Sequence, residues 1–132
     1  MPIAANSQEE SAVKAFTGGA YGGFVLCELE ARLNFLKVQT KEIAPTDYIS
    51  LTKKCLDASL NEIKPKFEEA RKEIKNPAAM EALKELYIYW KTSMKVSVIS
   101  QQFGEPSSLS GARVDEKRSG IEERIDRLEL EL

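Results

Sequence analysis

Apolar residues recur at intervals of three and four along most of the chain, the period of a helix buried on one side. From Val13 the series runs through Phe16, Ala20, Phe24, Cys27, Ala31 and Phe35 to Val38, which predicts a helix from about Gln8 to Gln39. A second series, Ile49, Leu56, Leu60, Ile63, Phe67, Ala70 and Ile74, follows Pro45-Thr46-Asp47. Thr46 or Asp47 is expected to cap this helix by accepting a bond from the free amides of its first turn. The third series, Met80, Leu83, Tyr87, Trp90, Met94 and Val98, starts after Asn76-Pro77, a capping residue followed by proline at the first helical position. The last, Val114, Ile121, Ile125, Leu128 and Leu132, is narrow and hemmed in by Asp, Glu, Arg and Lys.

Pro45, Pro77 and Pro106 separate these blocks, and the blocks share no residue pattern, so the rhythm is architectural and not a repeat. It predicts an all-α, up-down four-helix bundle forming a single helical domain over residues 1–132. Residues 1–7 are expected to be a flexible N-terminus, and residues 103–112, rich in Gly, Pro and Ser, a loop before the C-terminal helix. Pro65 falls inside the second series. Its missing amide cannot reach the Asn61 carbonyl, so a kink or short break is expected near Lys64. The last stripe has few aliphatic residues, each worth about 1.5–3 kcal/mol when fully covered. That helix is expected to be loosely attached, or to pair with a partner.

Composition narrows the chemistry. The 132 residues are 42% hydrophobic and 30% charged, with 19 Lys+Arg against 21 Asp+Glu and a net charge of −2. Both signs are spread along the chain, which argues against nucleic-acid binding. No apolar run approaches the roughly 20 residues of a bilayer-spanning helix. There is no histidine, which removes Ser-His and Cys-His pairs, imidazole bases and the usual mixed zinc sites. Carboxylates such as Glu28, Glu30, Glu62, Glu68, Glu69, Glu73, Glu81, Glu85, Glu122 and Glu123 lie off the apolar stripes and read as solvated helix faces. A paired-carboxylate hydrolase would need two of them in a cleft. The Asp-rich loop of a calcium site is missing as well. No catalytic residue, metal or cofactor is expected.

Cys27 and Cys55 are the most informative pair. In a hairpin turning at Thr40 to Pro45, residues at equal height have numbers averaging near the centre of the turn, and 27 and 55 average 41. The thiols are thus expected at the same height, where a disulfide would restrict the unfolded chain by about 3.5 kcal/mol. A bond would place the protein in a periplasm or another exported space. Two buried thiols in a cytoplasmic bundle are the alternative. Met1 to Ser7 lacks the basic start and apolar run of an export signal, which leaves open either a cytoplasmic protein or a mature exported one.

Gly18, Gly19, Gly22 and Gly23 surround Tyr21, and each costs a helix about 1 kcal/mol relative to Ala. No helix start or Lys/Ser partner follows, so a phosphate loop does not fit. Gly18/Gly22 and Gly19/Gly23 instead suggest smooth faces that another backbone approaches closely, within the bundle or on a partner, with a locally frayed or kinked helix as the alternative. In Tyr87-Ile88-Tyr89-Trp90, successive residues are about 100° apart on a helix, so Tyr89 is expected outside the stripe. Gly18, Gly19, Tyr21, Gly22, Gly23 and Tyr89 are the expected partner-binding residues.

These features point to a non-enzymatic helical protein that binds another protein, such as an inhibitor, an immunity-type protein or an envelope adaptor. An alternative is a bundle holding a small apolar ligand between its helices. A third reading is a homo-oligomer paired through the C-terminal helix.

Overall fold

The computed structural model describes residues 11–102 and 107–132, with side chains for 11–95 and 113–132. Four helices account for nearly all of it: α1 (Ala12–Gln39), α2 (Pro45–Glu73), α3 (Pro77–Gln102) and α4 (Ser107–Glu131). No strand occurs among the described residues. The expected flexible stretch 1–7 lies outside them.

Cross-helix pairs establish the up-down topology. Between α1 and α2, Phe16 meets Phe67, Cys27 meets Cys55 and Phe35 meets Tyr48, so numbers rise on one helix as they fall on the other. Glu85 with Arg127 and Asn76 with Glu131 set α3 and α4 antiparallel in the same way.

The helix ends follow local chemistry. Ser11 caps α1, its hydroxyl accepting from the Lys14 amide at 3.0 Å, while Glu73 at the end of α2 accepts from the Ala12 amide at 2.9 Å. Asn76 caps α3 as expected, with its Oδ1 accepting from the Ala78 amide at 2.9 Å. At α2 the expectation needs correction. The cap position is Ala44, with Pro45 already helical, and Asp47 acts from inside the helix by accepting from the Ala44 amide at 3.2 Å. Proline at the first position gives up an amide that would have had no partner, so the helix begins before Thr46.

Two further expectations meet the tertiary structure. α2 continues without a break through Pro65, on an exposed position where the carbonyl released at Asn61 can face water. The stretch expected to be a loop over 103–112 is helical from Ser107 onward; Phe103 to Pro106 lie outside the described residues. The first helical residue directly follows Pro106 in sequence, and packing of the rest of α4 on α3 offsets the weak propensity of Ser and Gly.

The core is centred on Trp90, which is fully buried and donates its indole N–H to the Ala20 carbonyl at 2.6 Å. Phe67 and Tyr87 stack at 4.1 Å between ring centres, and Tyr87 lies 6.2 Å from Trp90. Phe16, Phe24, Ile63, Leu83, Leu86 and Met94 fill the space around these rings. α4 contributes Val114, Ile121 and Leu128, all buried at intervals of seven, with Ile125 partly covered and Leu132 exposed. The narrow stripe read from sequence is therefore seated on the bundle, and Arg124 and Arg127 of α4 reach Glu85 of α3.

Gly120 has a steric reason. A Cβ there would fall within 3.0 Å of Tyr89, because the hydroxyl end of its ring lies against the α4 backbone at this glycine. Gly120→Ala is expected to destabilise the fold by about 1–3 kcal/mol through overpacking, outweighing the ~1 kcal/mol that Ala gains in helix propensity. Urea unfolding of the variant checks this, and a gain in stability would mean that Tyr89 does not occupy that position.

Candidate functional site

The glycine cluster of α1 divides into two rows with opposite surroundings. Gly19 and Gly23 face the interior. A Cβ on Gly19 would lie 2.8 Å from Ile63, and one on Gly23 would lie 3.3 Å from Ser59 and 3.8 Å from Trp90. They let α2 and α3 approach α1 closely, the packing use expected of a small-residue row. Gly18 and Gly22 point the other way, with nothing within 4 Å of an added Cβ.

Gly18 and Gly22 begin a longer surface. Val25, Leu26, Leu29, Leu33 and Leu36 continue on the same outward side of α1, about 180° around the helix from the core row Phe16, Ala20, Phe24 and Ala31. The four leucines are 53%, 49%, 50% and 54% exposed, an unusual degree for leucines in a row. Lys14 and Glu28 bracket a stretch with no Asp, Glu, Lys or Arg, and Glu30, Arg32 and Lys37 fall at the margins of the face. α2 exposes Ile49 and Leu51 near its start, but the rest of its outer side is charged, carrying Lys53, Lys54, Asp57, Lys64, Glu68 and Lys72. A helix that is apolar on all sides ordinarily lies in an interior; α1 has one side covered by the bundle and the other open.

The expected partner-binding residues thus have unequal placements. Gly18 and Gly22 stand on the open face, and Gly19 and Gly23 are engaged within the bundle. Tyr21 is half-buried at the α1–α4 boundary, its hydroxyl donating to Glu122 Oε1 at 3.0 Å. Tyr89 lies off the Tyr87–Trp90 stack, as its position on the helix requires, and packs on α4 beneath the Arg124 guanidinium at 3.7 Å. The leucine row escaped the sequence reading because that reading followed one stripe per helix. A second series at intervals of three and four, offset from the first, was present in the sequence.

Cys27 and Cys55 form a disulfide joining α1 to α2, with Cα atoms 5.7 Å apart. Glu28 departs from the expected solvated carboxylates. It is buried beside the disulfide and paired with Arg32 one turn later, which supplies the opposite charge that a covered carboxylate needs. Among the described residues, no group of three or more Cys, Asp or Glu is placed to hold a metal ion. Among those residues, too, no helix is long and apolar enough to cross a membrane.

No family model, curated protein or solved structure matches this chain.

Three phenols are held neutral above their ordinary range. The hydrogen bond to Glu122, reinforced by burial, raises Tyr21. Burial raises Tyr48 and Tyr87, the latter with help from the Glu68 charge. A pKa higher in the folded than in the unfolded chain contributes stability that is complete below the unfolded value of 10.0 and is lost as pH rises through the folded value. Melting temperature is therefore expected to fall above about pH 10 as these phenols ionise. In an absorbance titration of tyrosinate, Tyr21→Phe should remove one late-ionising phenol. Four phenols ionising together at the ordinary value would contradict the geometry.

Proposed function

We propose that this chain is a non-enzymatic helical protein-binding module of an oxidising compartment, of the inhibitor or envelope-adaptor kind, and that the outer face of α1 is its docking surface. The observation carrying the reading is the row Leu26, Leu29, Leu33 and Leu36, each about half exposed on a helix whose opposite side is already buried. Leaving that row in water forgoes the stabilisation that an apolar partner supplies by covering it. The Cys27–Cys55 bond supports the compartment, since such bonds persist mainly outside the reducing cytosol. The absence of histidine from the sequence supports a non-catalytic role.

The test is capture of a protein partner from native extract under non-reducing conditions, comparing the wild-type chain with Leu29→Glu. Leu29 is exposed, so the variant should fold as the wild type does while burying a charge in any complex. A defined partner retained by the wild type and lost by the variant is the expected result. Equal recovery by both chains, or turnover of a small molecule by the purified protein, would defeat the reading.

A further inference from the structure

We propose that the partner of the α1 face is a second copy of this chain, the two α1 helices pairing antiparallel about a two-fold axis near Cys27. This rests on the reading of α1 as a protein-docking surface and names the occupant. The face is small at its N-terminal end, with Gly18 and Gly22, and bulky at its C-terminal end, with Leu33 and Leu36. Running a second copy in the opposite direction places Gly18 against the partner copy's Leu36 and Gly22 against the partner copy's Leu33. Val25 and Leu26 then meet the partner copy's Leu29. Leu33 and Leu36 enter the gaps above the two glycines at each end, while Val25, Leu26 and Leu29 pack against one another at the axis, so both ends of the contact are equivalent. In a parallel pair, glycine would face glycine and leucine would face leucine, which splays the helices.

Such a pair is also closed. A face complementary to itself under a two-fold rotation makes a closed dimer and not an open filament. From Gly18 to Leu36 the contact is about 27 Å long at 1.5 Å per residue. The exposed surface it covers is on the order of 500 Å² per copy, so about 1,000 Å² in all, the level at which specific interfaces begin. Lys14, Glu30, Arg32 and Lys37 lie at its margins or beyond its end, and Glu28, the charge nearest the axis, is already covered within its own copy and paired with Arg32, so the contact leaves no newly buried charge without a partner.

Sedimentation of the full, oxidised chain over the micromolar range tests the pairing. A concentration-dependent dimer is expected, and Leu33→Glu should weaken it by at least about 30-fold. Gly22→Lys should do the same without disturbing the folded copy, since nothing lies within 4 Å of its Cβ. The combination of Gly22→Lys and Leu33→Glu should restore the dimer, because only antiparallel pairing sets each new lysine against a glutamate of the other copy. Helical ellipticity and melting temperature verify that each variant is folded, and Leu36→Glu replaces any that is not.

A wild-type chain that stays monomeric overturns the proposal, as does a dimer indifferent to Leu33→Glu or one that the double variant fails to restore. A monomer that floats with vesicles of phosphatidylcholine and phosphatidylglycerol also overturns it, with lipid as the covering. If the chain is monomeric yet captures a different protein through Leu29, the second-copy inference falls and the docking reading survives. If neither occurs, both fall.

Discussion

Trp90→Ala is expected to remove about 3–5 kcal/mol of stability, a large share of what a domain of this size has. Trp90 is the chain's only tryptophan and is fully buried, where it joins the Phe67–Tyr87 stack to the backbone of α1. Its removal leaves a cavity among Ala20, Gly23 and Tyr87 that the packed helices cannot readily close. Trp90→Phe separates the contributions. It keeps most of the apolar area and gives up the bond to the Ala20 carbonyl, a net loss of about 1 kcal/mol from the bond plus a smaller cavity. Urea unfolding followed by helical ellipticity measures both variants, since tryptophan fluorescence disappears with the residue. A loss below about 1.5 kcal/mol for Trp90→Ala would show that the ring does not organise the core.

Reducing the Cys27–Cys55 bond is expected to cost about 3.5 kcal/mol, because it frees a loop spanning 28 positions in the unfolded chain. For a domain of this length that lowers the melting temperature by roughly 10 °C. The bond also marks a boundary within the bundle. On its Trp90 side lie Phe24, Ile63, Leu83, Leu86 and Met94; on its other side, the described buried residues of the α1–α2 hairpin are only Glu28, Ala31, Tyr48 and Thr52. Reduction should therefore loosen the far end of the hairpin first, with amide exchange accelerating over residues 28–54 before the rest of the molecule. Cys27→Ala with Cys55→Ala should melt where the reduced wild type melts and be indifferent to added thiol. If reductant leaves the wild-type melting curve unmoved, the bond is absent in solution, and the compartment argument goes with it.

Each helix was legible to the extent that its own residues settle it. Asn76-Pro77 announces the start of α3 because a cap and a proline act within one turn, and that start was read correctly. The start of α2 was read late, because Pro45 can be either the residue before a helix or its first, and the choice depends on how Ala44 leaves the turn. Pro65 was expected to kink or break α2; the break does not occur, because burial of Ile63, Phe67 and Ala70 on either side holds the helix continuous past one missing bond. The equal height of Cys27 and Cys55 was legible, since an antiparallel hairpin fixes which residues lie level, but the bond itself depends on the two thiols facing each other across the helices.

The candidate site was less legible. The sequence placed the four glycines together without telling which looked inward, and that depends on where α2 and α3 lie. Glu28 shows the same limit: its charge suggests water, yet in the folded chain it is covered and paired with Arg32.

The order of residues along the chain determined four helices, their antiparallel succession and the equal height of Cys27 and Cys55, because helical period, caps and the place of the turn are set by nearby residues. Tertiary structure alone decided that Gly19 and Gly23 serve the interior while Gly18 and Gly22 stand open beside the leucine row. It did so because burial is a property of neighbours: α1 is apolar on both sides, and only the arrival of α2, α3 and α4 on one of them left the other facing water.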